Sequence, residues 1–522
     1  MNFRKFKKST EIKNSSGVET TLFKWESIKP LGDSDVRTPL KEVQPLVDQW
    51  NTRVKELTDT EPDVLVEFWK RLIRHWSIET GVLERVYQIS EGVTKILVEQ
   101  GLSSDLVERS ESTMDPQLLI TILRDHQEAV ELCMDIVSKQ RKLTIGSIKE
   151  LHACIMKNQT TTTTFDEKGI ARQIQLHPGD YKKWPNSVTL PDGSIHEYAP
   201  PEQVTSEMES LVTWAEGYID LDPIVVAAWI HHRFTQIHPF QDGNGRLARV
   251  LANLILIRKK LLPVVIRRTD REKYLEALRL ADTGDLTHLV YFFENREKDT
   301  LLTAISFEPF ELKSLQSVSP EETAKQIALR FKRGQDSIRS QLLDILKTNC
   351  LLAKVGLHHA LDELEVVHKL WHESGLETSP PQHSWGGPDD FGQEGDFYQP
   401  STNHYFQRQI VELAQQHQIW INREGGRFWF RVRMHRFEER FQFICAIALV
   451  GKQPRGTAVA LAFAETSQTP DEEETRMQSA IECMLRPFPI SQNEEFEKTE
   501  QQFKEWVGEC LALAIAEWGR TF

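Results

Sequence analysis

The sequence predicts a mainly α fold carrying one β-hairpin, followed by a separate α+β domain at the C-terminal end. Three observations carry this. Apolar residues recur at three- and four-residue steps through much of residues 62–373, the period of helices with one buried face. A Pro191-Asp192-Gly193 triplet between two short stretches marks a hairpin, because proline presets φ and glycine accepts a positive one. Beyond residue 404 the apolar period changes to two, as in strands.

Taken in order, residues 1–60 mix charges, prolines and polar residues and read as a partly ordered arm. Residues 61–144 form an N-terminal helical region. Leu65, Phe68, Leu72 and Trp76 give an amphipathic helix running from Pro62 to about Leu97, and a second helix covers 115–139. Residues 145–300 form a core. It opens with a helix over 146–158 and an extended five-threonine connector, Thr160 to Thr164. The hairpin follows, pairing residues 186–190 with 195–198. Asp222-Pro223 caps and starts a helix whose stripe is Val226, Ile230, Phe234 and Ile237. The stripe of the next helix is Leu247, Val250, Leu251, Leu254 and Ile255.

Residues 301–374 extend the helical part, and 375–403 read as a Pro/Gly/Ser-rich linker. In the last domain, 404–522, Phe428, Phe430, Val432 and Met434 alternate with Trp429, Arg431 and Arg433 after a Gly425-Gly426 turn. Further strands are expected at Phe441–Val450 and Thr457–Glu465, and helices at 472–484 and 494–519.

Composition narrows the function. The 522 residues carry a net charge of -14, which argues against bulk nucleic-acid or anionic-membrane binding. No apolar run approaches the ~20 residues of a membrane helix. The six cysteines form no C-x-x-C pair, so buried free thiols in a reducing, cytoplasmic setting are expected.

The chemistry concentrates in residues 238–249, His-Pro-Phe-Gln-Asp-Gly-Asn-Gly-Arg-Leu-Ala-Arg. Gly243, Asn244 and Gly245 sit where one helix ends and the next begins. There, backbone N–H groups and the helix dipole can hold phosphate oxygens. Arg246 and Arg249, three apart, can reach the same anion. Asp242 is a hard oxygen ligand suited to Mg²⁺ carried by a nucleotide. His238, just outside, suits a general base. The plainer reading is a capped helix pair with surface arginines. It does not account for so many mutually consistent roles in twelve residues.

This stretch resembles the signature of Fic-domain proteins, helical enzymes that mostly transfer AMP from ATP to a hydroxyl of a target protein. The resemblance extends to Tyr274, Leu275 and Asp282, in a segment similar to the helix that lines the family's adenine pocket. It also extends to Gly179-Asp180-Tyr181-Lys182 and to the hairpin with Val188 and Thr189, similar to the flap that clamps the target's extended segment. The resemblance implies a Fic-type helical bundle and a Mg²⁺-ATP-dependent protein adenylyltransferase. In it His238 takes the proton and Asp242 holds Mg²⁺. Gly243, Asn244, Gly245 and Arg246 bind the α- and β-phosphates, Arg249 binds the γ-phosphate, and Tyr274, Leu275 and Asp282 form the nucleotide pocket. The target would present a Ser, Thr or Tyr hydroxyl. Homo-oligomerisation is left open.

Many family members carry an inhibitory helix with the pattern Ser/Thr-x-x-x-Glu-Gly/Asn, whose glutamate pairs with the last arginine of the motif. Here Ile78-Glu79 fits, while His75 and Thr80 depart. Glu79 is therefore the candidate inhibitory residue, against the plainer reading of a solvated helix glutamate. Three alternatives stand beside the transferase: a nucleotide-binding regulatory module, a hydrolytic enzyme that removes AMP, and a transferase using another nucleotide donor.

Overall fold

The computed structural model describes residues 10–13, 19–32, 38–165, 171–189, 195–307, 320–387, 407–422, 427–437, 439–451, 456–467, 478–481, 483–484, 486–492 and 494–520. The chain divides into two compact units. One comprises Met1–Gln44 and Val66–Thr300, the other Pro45–Leu65 and Leu301–Phe522.

The elements begin with strands β1 (Thr10–Lys13) and β2 (Glu19–Phe23), then helices α1 (Pro39–Thr60), α2 (Pro62–Leu83), α3 (Glu91–Gln100), α4 (Pro116–Ser138) and α5 (Ile145–Ile155). Among the described residues of the first 60 there are two strands and one helix. The face of α1 carrying Val43, Leu46, Val47, Trp50 and Leu57 is buried. The single helix expected from Pro62 to Leu97 is two. Arg85 has a left-handed φ of 57°, which ends the first. Ser90 caps the second by accepting from the Val93 N–H.

Two ribbons interrupt the helices: β3 (Thr161–Phe165) with β4 (Ala171–Gln175), and β5 (Val188–Thr189) with β6 (Ile195–His196). The extended threonine run is therefore a paired strand. The predicted turn at 191–193 lies outside the described residues. The edge of β6 is paired in parallel with β2, giving the order β1-β2-β6-β5.

Helices α6 (Val204–Gly217), α7 (Pro223–Ile237), α8 (Asn244–Arg258), α9 (Arg271–Asp282) and α10 (Thr287–Ser306) follow. Helices α7 and α8 pack against each other. Helices α4 and α5 lie on α8, α6 on α7, and α9 on α7. Helix α4 packs on α5 and α8, and Val66–Thr300 fall within one compact unit. Both central helices are almost wholly buried, down to their polar residues His231, His232, Asn244 and Arg246.

The second unit holds the long helix α11 (Pro320–Glu373), β7 (Gln382–Gly386), α12 (Gln407–Gln416), β8 (Phe428–Arg436), β9 (Glu439–Leu449), β10 (Thr457–Ser467), β11 (Gln478–Ile481), β12 (Phe488–Ser491) and α13 (Phe496–Gly519). Its antiparallel sheet has the order β11-β10-β9-β8-β7, with β12 also on β10. Helices α11 and α13 cover one face, where the alternating Phe428, Phe430, Val432 and Met434 are buried. Two expectations are corrected. The linker contains strand β7, which pairs with β8. The helix expected over 472–484 is strand at Gln478–Ile481, paired with β10; residues 471–477 lie outside the described residues. All six cysteines are free. Among the described residues no helix is long and apolar enough to cross a membrane.

Candidate active site

The site forms where α7 hands over to α8. His238 ends α7 with φ 51° and ψ 58°, a left-handed conformation that costs a non-glycine residue about 1–2 kcal/mol. Its backbone N–H still donates to the Phe234 carbonyl at 2.9 Å. Its ring Nδ1 lies 3.3 Å from the Thr235 carbonyl. A carbonyl only accepts, so the proton sits on Nδ1 and the Nε2 lone pair is left for chemistry. Tyr198 stacks on the imidazole at 3.8 Å and 14°. Burial, reinforced by the Lys182 charge, pushes the His238 pKa down to about 3, so the ring is neutral near pH 7.

The turn that follows is braced from within. Phe240 is buried and stacks on His152 at 3.7 Å. Asn244 accepts from the Phe240 N–H at 2.9 Å and donates to its carbonyl at 2.7 Å. The Asn244 side chain therefore holds the turn. What remains for a ligand is its backbone N–H, among the first of α8, which lack intrahelical acceptors. Gly243 has φ 79° and lies against Met156, so a Cβ there would be strained and would clash. His152 accepts from the Gly179 N–H at 2.9 Å through Nδ1, and its Nε2 donates to the Asp242 carbonyl at 3.0 Å. The Asp242 side chain stays 39% exposed beside the turn.

The two arginines meet different protein partners. Arg246 turns inward. It donates to Gln159 Oε1 at 3.0 Å, His126 Nε2 at 3.3 Å and Met156 Sδ at 3.2 Å, and meets Asp242 Oδ1 only at 3.4 Å. Arg249 donates from Nε to Thr80 Oγ1 at 2.7 Å and from Nη2 to the Thr80 carbonyl at 3.0 Å. Its Nη1 reaches Glu84 Oε1 at 2.7 Å and the Tyr274 hydroxyl at 3.5 Å.

Glu79 does not reach Arg249. It is 4% exposed and accepts from the Arg268 backbone N–H at 2.8 Å and from its guanidinium Nη2 at 2.7 Å. The carboxylate on Arg249 belongs to Glu84, which the sequence reading passed over. The signal was present: Thr80-Gly81-Val82-Leu83-Glu84 fits Ser/Thr-x-x-x-Glu. Arg85 stands where the pattern has Gly or Asn, and its φ of 57° is the conformation those two residues adopt most readily. Glu84 also lies over Gly245, where a Cβ would run into its carboxylate. An internal anion thus sits between the glycine turn and Arg249.

The remaining candidates are spread around this centre. Tyr274 is buried, with its hydroxyl 2.9 Å from His231 Nε2. Leu275 is half-buried on α9. Asp282 is 2.9 Å from His232 Nε2 and 3.9 Å from His196 Nδ1 on β6, so it ties α7 and the hairpin to α9. Val188 is exposed; Thr189 pairs with Ile195 through the backbone, and its side chain lies outside the described residues. Lys182 and Asn186, read in the sequence only as part of the flap segments, lie against the His238 segment.

Known proteins share this region. Residues 142–256 match the family model described as Fic/DOC family. The chain is 28% identical over 180 residues to protein adenylyltransferase fic-1 of Caenorhabditis elegans, covering 33% of this chain and 32% of that one. It is 32% identical over 159 residues to protein adenylyltransferase Fic of Nematostella vectensis, covering 30% and 33%. Among solved structures it is similar to a Fic domain containing signaling protein from Bacteroides thetaiotaomicron, at 26% identity and a TM-score of 0.40, covering 50% of this chain and 96% of that one. The match spans about a third of the length of these curated relatives.

Proposed function

We propose, from the premise that residues 142–256 of this chain are a Fic/DOC domain, that the protein is an adenylyltransferase that moves AMP from Mg²⁺-ATP to a hydroxyl of a protein target. The observation that carries this reading is His238 with its Nε2 lone pair free, at the edge of a glycine turn that opens a helix. A binding module would need the turn and not the base.

In the reaction, the target hydroxyl oxygen bonds to the α-phosphorus and its proton passes to His238 Nε2. The bond from the α-phosphorus to the bridging oxygen breaks, and pyrophosphate leaves with that electron pair. A base of low pKa takes the proton only as the hydroxyl acidifies during bond formation, so transfer is coupled to attack. The N–H groups at the start of α8 hold the phosphate oxygens.

The donor set suits a metal brought by the nucleotide. No group of three or more His, Cys, Asp or Glu able to hold an ion occurs among the described residues, and Asp242 offers one half-exposed carboxylate, the usual protein share for Mg²⁺ on phosphates. When bound, Mg²⁺ would neutralise charge on the phosphates.

Glu84, not Glu79, is the brake in this reading. Its carboxylate occupies Arg249 and covers Gly245, the two features that a triphosphate needs. The target hydroxyl class, Ser, Thr or Tyr, and a cytoplasmic setting with reduced thiols complete the proposal. The test is labelling from α-phosphate-labelled ATP in a cell extract, comparing the unaltered chain with Glu84→Gly and Glu84→Gly/His238→Ala. Label that depends on His238 supports transfer. Label from the γ-phosphate, or nucleotide binding with no transfer, overturns it.

A further inference from the structure

The left-handed His238 needs support, and two residues outside the motif supply it. Lys182 lies between β4 and β5 and is 4% exposed. Its ammonium donates to the Ile237 carbonyl at 3.4 Å and to Asn186 Oδ1 at 2.7 Å. Its backbone N–H donates to the Pro239 carbonyl at 2.8 Å. Asn186 Nδ2 donates to the Phe240 carbonyl at 2.9 Å and, more weakly, to the His238 carbonyl at 3.5 Å. Four consecutive carbonyls, 237 to 240, therefore each accept a bond from Lys182 or Asn186.

A brace alone would not require a charge. Burying an ammonium costs several kcal/mol, and among the described residues no carboxylate pairs with Lys182. Burial pushes its pKa down to about 7. That charge faces the imidazole, together with His196 from β6, while Tyr198 stacks on the ring.

We propose that Lys182 and Asn186 are positioning residues for His238: they fix the carbonyls of residues 237–240 and so aim Nε2 at the acceptor hydroxyl. This rests on the adenylyl-transfer reading. Neither residue belongs to the 238–249 motif, and neither is asked to touch the nucleotide.

The experiment uses the full chain carrying Glu84→Gly, with Lys182→Met, Lys182→Arg or Asn186→Ala added. Self-labelling is followed against Mg²⁺-ATP concentration, and Mg²⁺-ATP binding is measured at equilibrium. A misplaced reacting group can cost on the order of 10²-fold. Lys182→Met and Asn186→Ala are expected to lower the maximal rate at least ~10-fold while nucleotide affinity and KM hold, and Lys182→Arg is expected to restore most of the rate. Unchanged rates in folded variants, or rate and nucleotide binding lost in parallel, overturn the proposal. Should Lys182→Met not fold, Asn186→Ala and Lys182→Arg decide it.

The imidazole ¹⁵N resonances of His238 give a second readout that needs no reaction. Removing the Lys182 charge is expected to raise the titration midpoint of the ring, and an unmoved midpoint overturns the placement. If the Glu84→Gly chain binds Mg²⁺-ATP yet transfers no label, the transferase reading falls and this resonance alone judges Lys182.

Discussion

Glu84 Oε1, just beyond the end of α2, lies 2.7 Å from Arg249 Nη1, while Glu79 leaves α2 toward Arg268. The two glutamates have separate jobs, and substitution should separate them. A charge-assisted bond contributes about 1.5–3 kcal/mol, less where water screens it, and Glu84 is 36% exposed. Glu84→Gly is therefore expected to strengthen Mg²⁺-ATP binding by about tenfold, with a matching rise in self-labelling. Titration calorimetry would check it, and unchanged affinity would remove Glu84 from the account.

Glu79→Gln is expected to act on stability. It leaves Arg268 with a lost counter-charge in a largely buried setting, where the side chain is 21% exposed. Breaking such a pair costs about 3 kcal/mol. Urea unfolding should show a lower midpoint for Glu79→Gln and little change for Glu84→Gln. Equal midpoints for Glu79→Gln and the unaltered chain would contradict the buried pair.

His238→Ala is expected to lower transfer by ~10²–10⁴-fold with Mg²⁺-ATP binding intact. Since burial and Lys182 hold the imidazole at about 3, its ionisation should contribute no limb to the rate between about pH 5 and 7. A rate that rises through pH 6.5 and loses that rise in His238→Ala would show an ordinary histidine.

Glu297 gives a prediction about pH and stability. It is fully buried on α10 and accepts from the Leu262 N–H at 3.0 Å, and burial raises its pKa from 4.5 to about 8. The unfolded chain releases this proton above pH 4.5 while the folded chain keeps it, so stability is full below 4.5 and is lost as pH rises to about 8. Each pH unit in that window removes at most about 1.4 kcal/mol. Glu297→Gln should gain on the unaltered chain from pH 5 to 8 and then hold its lead. A gap that does not change with pH would mean that Glu297 is ionised in the fold.

What the sequence disclosed follows from locality. The 238–249 motif is contiguous, so its turn, helix start and base were readable together. Helix stripes such as Val226, Ile230, Phe234 and Ile237 were readable because burial follows the 3.6-residue period. Glu84 matches the inhibitory pattern with Thr80 but was passed over for Glu79, because Arg85 stands in the Gly/Asn place. Glu79 and Glu84 face different partners, and the choice between two partial matches to one pattern is settled by tertiary contact. Lys182 and Asn186 were read only as part of the flap, because they meet the motif across more than fifty residues. Gln478–Ile481 was read as helix, but its state is set by pairing with β10.

The Thr80 carbonyl on Arg249 Nη2 has a consequence for how such a switch can open. A backbone oxygen cannot be rotated aside or deleted by substitution. Turning the Glu84 side chain away leaves Arg249 held through Nε and Nη2. Full release of the guanidinium also requires Arg249 to leave Thr80, by its own rotation or by movement of α2 at its C-terminal end. In the proposed reading activation is graded, with side-chain loss giving the first step and release from Thr80 the second. A partner that grips α2 would act on the second step without touching the nucleotide.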